Sequence, residues 1–223
     1  MMLGRGAYIL AEVSRLTQIH PSRVRWWFKH RPDHAGRGPI FDSDYPSAGG
    51  DYAVSFLDLV DVLVAGQFRD QYHVPMRIVR CAHSILQGEL KTKHPFCHSD
   101  LYTDGRRIFQ LAATKVGNEK LSDVISRQQF FLHIREKLGH IDYSEITKLA
   151  HRWRIAQGVV LDPTIGMGKP TIVNTGITTY VIGNQYRANS KDSVLVADLY
   201  GISEGDIFNA VKFEKKYGGR HAA

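Results

Sequence analysis

Apolar residues recur at helical spacing through most of the chain, and a few short turn-bounded runs interrupt them. Leu10, Val13 and Leu16 share one face of a helix predicted over residues 9–16. Thr17-Gln18-Ile19 reads as a turn. Pro21 suits the first position of a second helix, where its missing N–H would have had no intrahelical partner. That helix, from Pro21 to about Lys29, buries Val24, Trp27 and Phe28 and turns Ser22, Arg23, Arg25, Trp26 and Lys29 outward. Residues 31–50 are rich in Gly, Pro and Asp. Extended candidates at 39–41 and 52–56 make a hairpin of this region. A long helix follows over 56–72, and Pro75 opens another with Ile78, Ala82, Ile85 and Leu86 as its apolar stripe.

Residues 91–100 are polar and turn-like. Residues 101–103, Asp104-Gly105 and 107–111 predict a second hairpin, because Asp-Gly supplies the positive φ angles of a tight turn. Helix resumes at 121–138, and 146–155 holds a strand. Gln157-Gly158 marks a boundary. Beyond it lie short strands at 159–161 and 171–173 and helices at 178–186 and 193–200. Ser203 stands three residues before Asp206, a capping-box spacing that starts a last helix running to about Lys216. The expected fold is α+β, mostly helical. It comprises a helix-turn-helix region with its hairpin (1–92), a mixed connecting region (93–157) and a helical module (158–223).

Composition narrows the function classes. The chain has 223 residues, a formal net charge of +7 and 43% hydrophobic residues, enough for a sizeable core. The longest apolar run, 56–66, carries Asp58 and Asp61 and is too short to span a bilayer. Two cysteines, Cys81 and Cys97, supply no disulfide framework, and Glu12 and Arg15 interrupt the only signal-like start. These features predict a cytoplasmic protein with no membrane association. The positive charge is uneven. Residues 1–40 hold Arg5, Arg15, Arg23, Arg25, Lys29, Arg31 and Arg37 against Glu12 and Asp33, whereas 41–70 hold six aspartates against Arg69 alone.

Two short helices joined by a tight turn, the second basic on one face, fit a DNA major groove. Arginine forks suit guanine edges and phosphates, and a lysine adds a phosphate contact. Tyr8-Ile9-Leu10-Ala11-Glu12-Val13-Ser14-Arg15-Leu16-Thr17, followed by Pro21-Ser22-Arg23-Val24-Arg25-Trp26-Trp27, resembles the winged helix-turn-helix of MerR-type regulators. That resemblance implies Ser22, Arg23 and Arg25 as DNA contacts, Trp26 as a backbone contact, and Val24 and Trp27 as core. His20 departs from the pattern by standing at the helix N-cap in place of Ser or Thr, which predicts a weaker cap.

A second resemblance covers the last third. Val159-Val160-Leu161-Asp162-Pro163, Gly168-Lys169-Pro170-Thr171-Ile172, Gly176-Ile177-Thr178-Thr179, Tyr200-Gly201-Ile202-Ser203 and Ile207-Phe208-Asn209-Ala210-Val211-Lys212-Phe213 resemble small helical bacterial domains linked with antitoxins. With the helix-turn-helix before it, the arrangement is similar to VapB-type antitoxins of the two-domain kind. The resemblance implies an antitoxin that binds double-stranded operator DNA, represses its own operon and neutralises a PIN-like ribonuclease toxin. A homodimer or higher oligomer is expected, because two half-sites double the DNA contact set. Phe208, Val211 and Phe213 are the expected toxin or dimer surface. Lys216 and Arg220 are expected to reach the carboxylates of the nuclease.

Other constellations carry less. Gly166-Met167-Gly168-Lys169-Pro170 falls short of a phosphate loop, since Pro163 stands where the first Gly belongs and Pro170 replaces the Ser or Thr that would hold magnesium. His94, Cys97 and His98, with His83 or Cys81, are the residues an alternative reading as a metal-dependent enzyme would use. A second alternative is a MerR-like transcription regulator with no toxin partner. The favoured reading has no catalytic residues, cofactor or metal.

Overall fold

A computed structural model describes residues 5–28, 38–46, 52–117 and 140–218. The chain packs as two units, Ile9–Ala150 and Met1–Tyr8 with His151–Ala223. Positions 92–93 and Gln157-Gly158 each fall inside a unit. The first elements in chain order are β1 (Tyr8–Ile9), α1 (Leu10–Thr17), α2 (Pro21–Phe28), β2 (Ala53–Val54), α3 (Phe56–Asp70) and α4 (Met76–Leu90). A 3-10 turn at Pro95–Cys97 leads into α5 (Leu101–Lys115), then β3 (Ile141–Tyr143), β4 (Ala150–Ala156), β5 (Val159–Leu161) and β6 (Thr171–Ile172). Helices α6 (Thr179–Ala188), α7 (Ser193–Tyr200) and α8 (Glu204–Tyr217) follow. The fold is α+β and mostly helical. Among the described residues, no helix is long and apolar enough to cross a membrane.

Helix α3 is the spine of the Ile9–Ala150 unit, with Leu59, Val60, Val62, Val64, Ala65 and Phe68 wholly buried. A reciprocal cap starts it: the Asp58 N–H donates to Ser55 Oγ at 3.1 Å, and the Ser55 N–H donates to Asp58 Oδ2 at 2.8 Å. The α1–α2 turn seats on this helix. Gln18 adopts the left-handed conformation that ends α1, and the Ser14 hydroxyl donates to the Ile19 carbonyl at 2.5 Å. A Cβ at Gly66 would collide with the Ile19 side chain, so glycine there lets the turn approach α3 closely. His20 caps α2 after all, through its ring: the Ser22 N–H donates to His20 Nδ1 at 3.3 Å, and the Ser22 hydroxyl lies 2.8 Å from the same nitrogen.

Two expected hairpins are not formed as such. Residues 38–46 contain no strand. The Ile40 and Phe41 N–H groups both donate to the Trp27 carbonyl, so this loop caps the end of α2 and drops Phe41 into the core. Only Ala53–Val54 is extended on the other side, and Phe56 already opens α3. The expected tip, 47–51, lies outside the described residues.

The hairpin predicted around Asp104-Gly105 is helix α5 instead. Leu101, Ile108, Phe109, Ala112 and Ala113 are buried at helical spacing, and the helix packs along α4. Burial of that stripe overrides the local turn preference of Asp-Gly. The helix expected at 121–138 lies outside the described residues.

In the other unit, β4 and β5 form an antiparallel hairpin whose two-residue turn is Gln157-Gly158, with Ala156 opposite Val159. Gly158 has φ near 69°, which explains glycine at that turn. Strand β5 pairs antiparallel with β6. Helices α6–α8 enclose a core of Ile172, Ile182, Val196, Ala197, Ile207 and Ala210. The capping box expected from Ser203 and Asp206 is present, and Asp192 and Thr178 cap α7 and α6 with their side chains.

Candidate nucleic-acid interface and a buried acidic cluster

Helix α2 buries Val24, Trp27 and Phe28, and that fixes what its other face presents. Ser22, Arg25 and Trp26 are exposed, the Trp26 side chain by 55%. An exposed indole beside a buried one leaves a flat apolar plate on a polar surface. Arg23 is only half-exposed, because its Nη1 donates to both oxygens of Asp70, at 2.6 and 2.8 Å. Lys29 lies outside the described residues.

Beside this face is an open cleft of about 630 Å³, lined by Ser22, Arg23 and Trp26 of α2 and by Arg69, Arg77 and Arg80 from the end of α3 and the start of α4. Pro75, Met76 and Ile40 add apolar wall. Arg80 donates from Nη1 to the Gly38 and Pro39 carbonyls at 2.5 and 2.8 Å, which fastens the loop after α2. Four guanidinium groups around one cleft set up a positive field there, suited to phosphate or carboxylate. Sequence reasoning missed Arg69, Arg77 and Arg80, which lie 40 or more residues from α2. The one local signal is the three-residue spacing of Arg77 and Arg80 on a helix.

A second cluster is buried in the same unit. His94 donates or accepts through both ring nitrogens: Nδ1 is 2.8 Å from Asp61 Oδ2, and Nε2 is 3.1 Å from Asp44 Oδ2. Its Nδ1 also lies 3.9 Å from Asp58 Oδ1. Burial alone would push the His94 imidazole down, but the bonds to Asp44 and Asp61 outweigh it and raise it to about 10. The hydrogen bond from His94 holds the Asp44 carboxyl well below the usual carboxylate range. Burial pushes Asp61 up to about 6 and raises Asp58 as well. Lys93 Nζ donates to Asp44 Oδ1 and to the Ser43 carbonyl, both at 3.0 Å.

His94, Cys97 and His98 do not converge as the sequence pattern suggested. Cys97 is buried and its thiol donates to the Leu57 carbonyl at 3.0 Å. Burial raises that thiol well above its ordinary range. His98 Nδ1 instead accepts from the Asp100 N–H at 3.2 Å. Among the described residues, the group with metal-ligand geometry is Asp44, Asp58 and His94.

The expected partner residues of α8 divide. Phe208 is 51% exposed, Val211 is half-buried against the core, and Phe213 is buried at 4% exposure with its ring 4.8 Å from that of Tyr217. Lys216 lies 4.6 Å over the Tyr217 ring. Arg220 lies outside the described residues. Further apolar surface comes from helix α7, where Val194, Leu195 and Leu199 are exposed while Val196 is buried. An eight-residue helix that is apolar nearly all round was the available signal for it.

Gly166–Gly168 is a 3-10 turn that leads into β6 and not into a helix. The Tyr8 hydroxyl donates to the Gly168 carbonyl at 2.6 Å, and Lys169 lies 5.9 Å over the Tyr8 ring. Gly168 serves packing against Tyr8.

Residues 159–213 match the model of a family described as "Protein of unknown function (DUF433)". The match covers β5 through most of α8. Over nearly its whole length the chain is similar to "Uncharacterized protein Rv2308" of Mycobacterium tuberculosis, with 23% identity over 233 residues, 97% of this chain and 93% of that relative. The X-ray crystal structure of Rv2018 from Mycobacterium tuberculosis matches with a TM-score of 0.73 at 23% identity, covering 95% of this chain and 99% of that one. At that identity the likeness establishes fold alone.

Proposed function

We propose that this chain is a DNA-binding protein that sets α2 in the major groove, with Arg25, Ser22 and Arg23 toward base edges and Trp26 against the sugar-phosphate backbone. One observation carries the reading: the exposed face of α2 opens onto a cleft lined by Arg69, Arg77 and Arg80. A helix resting in the groove places its flanks over phosphates, and guanidinium groups on those flanks release counterions as they neutralise them. The protein partner in this proposal is a PIN-like ribonuclease toxin, held by the exposed apolar side chains of α7 and Phe208 of α8. The chain is then the antitoxin of a toxin–antitoxin pair and represses its own operon as a dimer or higher oligomer. Support for that role comes from the sequence resemblance and from the apolar surface on α7.

The DNA part is tested with the full chain and duplexes drawn from its own upstream region. Specific retention, with affinity falling steeply as salt rises, is the expected outcome. Equal, weak retention of all duplexes defeats it. The antitoxin part is tested by co-expression with the neighbouring reading frame. Stoichiometric co-purification and rescue of growth are expected, and a toxin still active with this chain in excess defeats that role while leaving DNA binding standing.

A further inference from the structure

We propose that Asp44, Asp58 and His94 form a site for a divalent transition-metal cation that clamps the 43–45 loop onto α3. The site goes beyond the proposed DNA and toxin binding and does not depend on either. One ligand atom from each residue lies within 4.8 Å of the other two, in a buried or nearly buried setting. Around an ion with bonds of about 2.1 Å such atoms stand roughly 3 to 3.5 Å apart, so the three side chains draw together on binding and a water takes the fourth position.

An independent observation points to a missing ligand. Asp58 is 1% exposed and its Oδ2 is fully engaged, accepting from the N–H groups of Ser55 and Asp44 at 2.8 and 3.1 Å and from the Ser43 hydroxyl at 3.3 Å. Its Oδ1 has no hydrogen-bond partner among the described residues and faces the His94 ring. A buried carboxylate oxygen without a partner is costly and rare. The three hydrogen bonds to Oδ2 also hold the carboxylate in place, as outer-shell donors do for metal ligands.

The surroundings agree. Three carboxylates, those of Asp44, Asp58 and Asp61, stand around one imidazole, with Lys93 paired to Asp44. Asp61 holds Nδ1 at 2.8 Å and fixes the tautomer, so the ion takes Nε2 beside Asp44, and Asp58 Oδ1, which stands 3.9 Å from Nδ1, turns toward it. One imidazole with carboxylates, largely shut from water, suits zinc, manganese or iron(II) better than magnesium or calcium, which keep waters or many oxygens.

The full chain is stripped with EDTA, dialysed against zinc chloride and analysed for bound zinc. Because eleven histidines offer weak surface sites, the readout is paired with the imidazole 15N resonances of His94. The expected result is one retained zinc per chain, a metal-coordinated His94 resonance and a raised Tm. Asp58→Asn, which keeps the shape and the Oδ2 position, loses the retained zinc and the Tm shift. Should that variant fail to fold, the wild-type His94 resonance decides alone. Zinc that leaves the His94 resonance unchanged, or is retained equally by Asp58→Asn, overturns the proposal, as does no retained zinc.

Discussion

Arg23 of α2, which lines the cleft, is held by Asp70 at the end of α3, with one guanidinium nitrogen donating to both carboxylate oxygens at 2.6 and 2.8 Å. Both side chains are more than a third exposed, so the pair adds no more than about 1 kcal/mol to stability. Its larger consequence is competition: a phosphate or base edge that takes Arg23 must displace Asp70. Asp70→Asn is therefore expected to tighten DNA binding several-fold, by about 1 kcal/mol, while the unfolding free energy stays within that same range. Arg25→Ala, at a fully outward position, should weaken specific binding by roughly 1–3 kcal/mol. Fluorescence anisotropy at two salt concentrations checks both. Unchanged affinity in Asp70→Asn would show that Arg23 keeps its partner on DNA.

Trp26 and Trp27 are adjacent in sequence and opposite in role. Trp27 is buried against Phe41, edge to face at a centroid distance of 6.0 Å, and its carbonyl receives two N–H groups of the following loop. Trp27→Ala should cost about 3–5 kcal/mol in denaturant unfolding. Trp26→Ala should change stability by no more than about 0.5 kcal/mol. It should nevertheless weaken DNA binding across all sequences, as a backbone contact would. A large loss of stability from Trp26→Ala would assign that indole to packing instead.

Legibility in the sequence followed the range of the interaction. Helices α6 to α8 were readable because each begins with its own local signal, as Ser203 and Asp206 do for α8. The α1–α2 pair was readable from Pro21 and the spacing of Leu10, Val13 and Leu16. Helix α5 was misread because Asp104-Gly105 is a strong local turn signal, and only packing on α4 shows why it loses. The acidic cluster joins residues up to 50 positions apart, so no spacing rule could assemble it. One trace was visible: Asp58 and Asp61 interrupt the longest apolar run of the chain, and carboxylates inside a core helix need partners. Their significance rested on His94, which local reading had grouped with Cys97 and His98.

Gly168 tests the packing of Tyr8. Its φ is near 81°, and a Cβ there would press onto the Tyr8 hydroxyl that donates to the Gly168 carbonyl. Gly168→Ala thus combines a left-handed backbone strain of about 1–3 kcal/mol with loss of that hydrogen bond. Thermal unfolding should show a clear fall in Tm. Tyr8→Phe, which removes the donor and keeps the ring, should cost only about 1 kcal/mol. Equal effects from the two changes would mean that the hydrogen bond, and not the backbone conformation, governs the site.

His83 sets an acid limit on the Ile9–Ala150 unit. It is buried edge-on to Phe41 and Phe96, with ring centroids 5.2 and 5.0 Å away. Burial pushes its imidazole down from 6.5 to about 3, and the nearby His94 charge adds to the effect. The unfolded chain accepts a proton near pH 6.5, whereas the folded chain refuses it until about pH 3. Between those values the unfolded state binds more protons, so stability is full above pH 6.5 and declines as the pH falls. Each pH unit in that window costs about 1.4 kcal/mol at most, so a drop to pH 4 should remove on the order of 2–3 kcal/mol. Asp61, raised to about 6, works in the opposite sense over part of the window, and its contribution cancels when two proteins differing only at position 83 are compared. His83→Leu is the comparison, since it fills the same apolar pocket and removes the unpartnered Nε2. Denaturant unfolding in EDTA from pH 7.5 to 4 should show the wild type losing stability relative to His83→Leu as the pH falls. Two parallel curves would place the acid sensitivity elsewhere in the unit.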